Sequence, residues 1–115
     1  RRQKEGDETV AAIEKMGGEA IFIKTDVREA AQVEAAVQKT VETFGALDFA
    51  FNNAGILNPL GPIHELSLAA WNDSIATNLT GVWLSMKYEI PEMLKTGRGA
   101  VVNTASAAGT NFPSA

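Results

Sequence analysis

Three short polar signatures each follow an apolar run, and their side chains are suited to holding a ligand or stabilising charge. Asn52-Asn53-Ala54-Gly55 comes directly after Leu47 to Phe51. It sets two amides beside two residues small enough to let a sugar or base approach the backbone. Asp26-Val27 lies just beyond Ala20-Ile21-Phe22-Ile23. A carboxylate there can accept from the amino group of a base while the Val27 amide donates to a ring nitrogen. Asn103-Thr104-Ala105-Ser106 closes Ala100-Val101-Val102 in hydroxyls, which can donate to an oxygen that gains negative charge during a reaction. Taken singly, each signature also fits a polar turn, a solvated loop acid or a helix cap. Together, at the carboxyl ends of three apolar runs, they point to the edge where open α/β sheets bind ligands.

Periodicity outlines the elements that must position them. Lys4 to Met16 is amphipathic, with Thr9, Val10, Ile13 and Met16 on one side and Gly17-Gly18 as a stop. Val33, Val37, Val41 and Phe44 share a second helical face, opposite Glu34, Gln38 and Glu42, and Gly45 closes that helix. Arg28 stands where a Ser or Asp cap is expected. Ile56 to Leu66 holds two Pro and one Gly and reads as a loop. Ser67 can cap a third helical region in which Leu79, Val82, Met86, Ile90 and Met93 follow core spacing. Trp83 lies off that stripe beside Lys87 and Tyr88, and Pro91 is expected to kink or divide the helix. Gly97-Arg98-Gly99 forms the turn into the third apolar run. Helix and strand alternating three times predict an α/β fold with a parallel sheet, all within one domain.

Composition narrows the function. The 115 residues carry 10 Lys+Arg against 14 Asp+Glu, a net charge of -4 that argues against a nucleic-acid surface. No apolar run approaches the roughly 18–20 residues that span a bilayer, so no membrane partner is expected. The sequence contains no Cys, which fits a reducing, cytoplasmic setting, and His64 is the sole histidine. No metal site is expected. The chain begins at Arg1, as a piece of a longer protein would.

In order and spacing, Asp26-Val27, Asn52-Asn53-Ala54-Gly55, Asn78 within Thr77-Asn78-Leu79-Thr80-Gly81, and Gly99 to Ser106 resemble the short-chain dehydrogenase/reductase family over essentially the whole chain. The resemblance implies a partial Rossmann-like, doubly wound parallel sheet, with residues 1–115 forming part of one NAD(P)-binding domain. It implies an oxidoreductase that moves a hydride between NAD(P) and a secondary alcohol or ketone. By this likeness Asp26 and Val27 hold the adenine, and Asn53, Ala54 and Gly55 line the adenosine ribose. Thr104 joins the cofactor-binding set, and Asn52 ties neighbouring strands. Asn78 is the helix-kink asparagine whose main-chain carbonyl holds a water in a proton relay, and Ser106 is the catalytic serine. Arg1 and Arg2 fall where the family separates NAD from NADP, and two arginines favour NADP. Homodimers or homotetramers are implied as well.

The departures are equally specific. No Gly-rich turn precedes Arg1, and none of the nine residues after Ser106 is Tyr or Lys, so the family's Tyr-x-x-x-Lys pair is missing. Tyr88 sits inside the long helix and is not followed by that pattern. The fragment is therefore expected to be inactive, with the missing motifs in the flanks of a longer parent. The alternative is a non-catalytic nucleotide-binding regulator on the same fold. A phospho-acceptor signalling domain would want clustered acids at its strand ends, and none appears here. The segments that shape the substrate pocket lie largely beyond Ala115, so the substrate is not legible.

Overall fold

Helices in this chain end where glycine permits a left-handed backbone. The computed structural model describes residues 2–57 and 61–107. Helix α1 (Gln3–Lys15) stops ahead of Gly17 (φ 84°), and α2 (Ala30–Phe44) stops at Gly45 (φ 86°). The Gly45 N–H donates to the Val41 carbonyl at 2.7 Å, which satisfies an acceptor the helix would otherwise leave open. The starts are weaker, since neither Arg2 nor Glu29 supplies a side-chain cap. Ser67 does: its Oγ accepts from the Ala70 N–H at 3.1 Å and opens α3 (Leu68–Ile75).

The chain does not leave the helix after α3. Residues Ala76–Thr80 form a π-helical turn, and α4 (Gly81–Thr96) carries on to Gly97. Contrary to expectation, Pro91 does not divide α4. The carbonyl it fails to pair belongs to Lys87, which is exposed, so solvent can serve it. The irregularity falls at Asn78 instead.

Gly81, Leu84, Ser85, Glu89 and Met93 are buried on α4, whereas Leu79 is 64% and Ile90 42% exposed. The expected stripe of Leu79, Val82, Met86, Ile90 and Met93 is thus not the covered one: the buried face of α4 runs through Gly81, Ser85 and Glu89, one residue N-terminal of Val82, Met86 and Ile90. Only Met93 of that set is buried.

Strands β1 (Phe49–Asn52) and β2 (Ala100–Asn103) pair in parallel, from Phe49 opposite Ala100 to Asn52 opposite Asn103. Bonds of 3.0 Å from the Ala100 N–H to the Asp48 carbonyl and from the Thr104 N–H to the Asn52 carbonyl carry the pairing past both ends. This is the pairing expected of the second and third apolar runs. The first run, Ala20 to Ile23, joins no ladder, and the sheet has two strands among the described residues. In the doubly wound order 3-2-1-4-5-6 that the resemblance implies, the three apolar runs are strands three, four and five. The last two are expected to pair, and two strands stand between the first run and β1, so it lacks a neighbour. It packs on α1 instead, where a Cβ at Gly6 would come within 2.5 Å of the Phe22 ring.

Among the described residues the buried apolar side chains are Val33, Leu84 and Met93, where α2 and β1 meet α4. Phe49 and Phe51, on the other face of β1, are 79% and 67% exposed. The accessible surface of 8526 Å² exceeds the roughly 6,100 Å² typical of a compact monomer of this mass. The architecture is part of a Rossmann-like α/β fold. Among the described residues no helix is long and apolar enough to cross a membrane.

Candidate functional site

Parallel pairing places the polar residues that end β1 and β2 side by side. Asn52 Nδ2 donates to Asn103 Oδ1 at 2.9 Å and to Glu89 Oε2 at 3.0 Å, so Asn52 joins both strands to α4. Asn103 Nδ2 in turn points to Met86 Sδ at 3.4 Å. One residue further on, Thr104 Oγ1 donates to Asn53 Oδ1 at 2.7 Å. Sequence reasoning missed Glu89, which is buried while Asn53, Asn103 and Thr104 stay exposed. The spacing of Gly81, Ser85, Glu89 and Met93 at every fourth residue was the signal that could have marked this face.

Asn78 closes the next part of the site. Its Oδ1 accepts from the Ile56 N–H at 2.8 Å, and its Nδ2 donates to the Ile56 carbonyl at 2.9 Å. A side chain thereby gives the loop after β1 the two backbone partners a strand would provide. A Cβ at Gly55 would stand 3.4 Å from Asn78 Oδ1, an ordinary contact, so loop and helix lie side by side here. Thr77, beside Asn78, is buried, and its hydroxyl has no partner among the described residues.

Gly81 brings the Asp26-Val27 turn into the same region. A Cβ there would meet Val27 Cγ2 at 2.8 Å and Val27 Cβ at 3.1 Å. Val27, Phe51, Asn52, Asn53, Ala54, Gly81, Val82 and Ser85 surround a cavity of about 130 Å³. Asp26 itself is gripped by Arg28, whose Nε and Nη2 reach its Oδ1 and Oδ2 at 3.0 and 2.6 Å. The Arg28 pKa is raised above its ordinary value, first by the hydrogen bond to Asp26 and then by that to Asp73.

The fold thus gathers Val27, Asn53 and Ala54 around one cavity, pairs Asn53 with Thr104, and sets Gly55 against Asn78. Ser106 stands apart from that cavity, exposed a few residues past β2. Arg2 is an exposed partner of Glu5 at 3.4 Å and borders a separate depression beside Ala20, Ile21 and Phe22. Arg1 and residues 58–60 of the loop lie outside the described residues. Val27 thus faces the small residue Ala54 across the cleft, while the Asp26 carboxylate beside it is held by Arg28.

The short chain dehydrogenase profile matches residues 1–114. The chain belongs to that family. It is 49% identical over 107 residues to cyclohexanol dehydrogenase from Acinetobacter sp. strain SE19, covering 93% of this chain and 41% of that protein. It is 42% identical over 106 residues to 2,5-dichloro-2,5-cyclohexadiene-1,4-diol dehydrogenase from Sphingobium indicum, covering 92% of this chain and 42% of that one. Among solved structures, a 3-ketoacyl-ACP reductase from Sinorhizobium meliloti 1021 superposes with a TM-score of 0.93 at 36% identity. That match covers 97% of this chain and 44% of the other. The chain spans about two-fifths of the length of the curated relatives it matches.

Proposed function

We propose that the protein carrying this chain is an NAD(P)-dependent oxidoreductase that interconverts a secondary alcohol and a ketone, and that residues 1–115 are part of its single cofactor-binding domain. The observation that carries this reading is the joining of two strand ends beside a small cleft lined by Val27, Asn53 and Ala54, with the Asn78 lock, in a member of this dehydrogenase family. Asp26 and Val27 would hold the adenine, with Asn53, Ala54, Gly55 and Thr104 beside the adenosine. The cofactor, when bound, carries the hydride. Ser106 would donate to the substrate oxygen, and the Asn78 main-chain carbonyl would hold a water in the proton relay. Arg1 and Arg2 favour NADP over NAD. Cyclic secondary alcohols are the first substrates to try, since two relatives are named for ring alcohols.

The remaining parts of the reading follow from the family. The full-length protein would supply the Gly-rich turn and the Tyr-x-x-x-Lys pair, so the 115-residue chain alone would be inactive. A cytoplasmic homodimer or homotetramer fits the absence of cysteine and the exposed Trp83 on α4. The test is to assay the full-length protein with cyclohexanol and with NAD or NADP, following nicotinamide reduction. Turnover with any secondary alcohol supports the reading. Tight cofactor binding without turnover across cyclic and linear alcohols and ketones would favour the non-catalytic regulator.

A further inference from the structure

The sequence puts Arg28 at the cap of the helix that follows, but the N-cap of α2 is Glu29, which supplies no side-chain cap, and Arg28 stands one residue before it. Its contacts indicate what the arginine does instead. Asp26 Oδ1 accepts from the Arg28 backbone N–H at 3.1 Å and from Nε at 3.0 Å, while Oδ2 accepts from Nη2 at 2.6 Å. The remaining nitrogen, Nη1, pairs with Asp73 on α3, 45 residues away. On the other side of the turn, the Asp26 backbone N–H donates to Gln32 Oε1 at 2.9 Å. Only a planar fork can hold one carboxylate by two nitrogens and reach a second with a third. Without it, two carboxylates from separate elements would lie close together with no shared cation.

We infer that Arg28 is a positioning residue for cofactor recognition. It sets the plane of the Asp26 carboxylate against α3, so that Asp26 meets the adenine amino group at a fixed angle. This rests on reading Asp26 as the adenine contact. Lysine could neutralise the charge but could not set the plane.

The experiment measures calorimetric Kd values for the full-length protein with its preferred dinucleotide and with the hypoxanthine analogue, which has an oxo group in place of the amino group. Wild type should prefer the adenine form. Arg28→Met should reduce that preference about tenfold, the scale of one hydrogen bond to a charged group, and Arg28→Lys should recover only part of it. Steady-state rates should show the change in KM for the cofactor rather than in kcat. Asp73→Asn, which keeps the Asp26 fork and loosens only its anchor, should cost about threefold, and it serves as the test should Arg28→Met not fold. Equal weakening of both dinucleotides by Arg28→Met, or an unchanged preference in Asp73→Asn, would overturn the inference. An unchanged preference in Asp26→Asn would show instead that Asp26 does not read the base, and the positioning role would fall with it.

Discussion

Asn78 holds Ile56 by both ends of its amide, a demand no other side chain but a glutamine could meet. In the full-length protein, Asn78→Ala should therefore destabilise by about 1–3 kcal/mol, read from the midpoint of urea unfolding. Asn78→Asp keeps an acceptor for the Ile56 N–H but faces the Ile56 carbonyl with an oxygen, so it should be no better than alanine. Ser106 makes a different case. Its proposed partner gains charge only as the reaction proceeds, so Ser106→Ala should lower kcat by about 10²–10³ and leave the cofactor Kd within twofold. Equal turnover in a folded mutant would remove Ser106 from the catalytic role. Residue types and their order were enough to nominate Asn52, Asn53 and Asn78. They could not show that Asn53 is engaged by Thr104, or that Glu89 turns inward, because both depend on which faces the strands and helix present to each other.

At the scale of elements, Ser67 and Gly45 could be read in advance because capping chemistry is local, and the structure places both as expected. The phase of α4 could not. Leu79 and Ile90 turn outward and Ser85 and Glu89 inward, because the elements packed on α4, not its own apolar spacing, decide which face is covered. Pro91 is expected to kink or divide the helix, but α4 runs through it undivided. Gly81 sits at the junction, with Val27 against it. Gly81→Ala gains about 1 kcal/mol of helix propensity, but the Val27 Cβ and carbonyl cannot rotate away from the new methyl, and overpacking of this kind costs about 1–3 kcal/mol. The expected outcome in the full-length protein is a net loss of stability and a raised KM for the cofactor, since the Asp26-Val27 turn must move. Urea unfolding and steady-state kinetics check the two effects separately, and a lowered KM would contradict the packing account.

The whole chain buries little for its size. With Phe49 and Phe51 largely exposed and few apolar side chains fully covered, the isolated 115 residues should give no cooperative thermal transition and should aggregate on concentration. A sharp calorimetric peak with a single van't Hoff enthalpy would contradict this. Trp83 concerns the assembly instead. It is 54% exposed, with Lys87 Nζ 5.1 Å from its ring centroid and 5.8 Å from that of Tyr88. If this face joins copies, Trp83→Glu should shift the full-length protein toward the monomer in light scattering, and an unchanged mass would place the interface elsewhere. The absence of Ala20 to Ile23 from the sheet follows from strand order, which the family pattern made legible.

The register of β1 on β2 also bears on the order of events during folding. Every pairing partner lies about fifty residues along the chain, so no hydrogen bond of the ladder forms until the ends of a long crossover meet. Closing a flexible loop of that length costs about 3–4 kcal/mol of entropy before a single contact offsets it. The intervening helices must consequently form first and shorten the search, because high sequence separation is what slows two-state folding. The contacts of Asn52 with Asn103 and of Asn53 with Thr104 belong to that late step. In the full-length protein, substitutions at these four positions should therefore act mainly by speeding unfolding, whereas helix-strengthening changes on the exposed side of α4 should speed folding, both read from stopped-flow rates in urea.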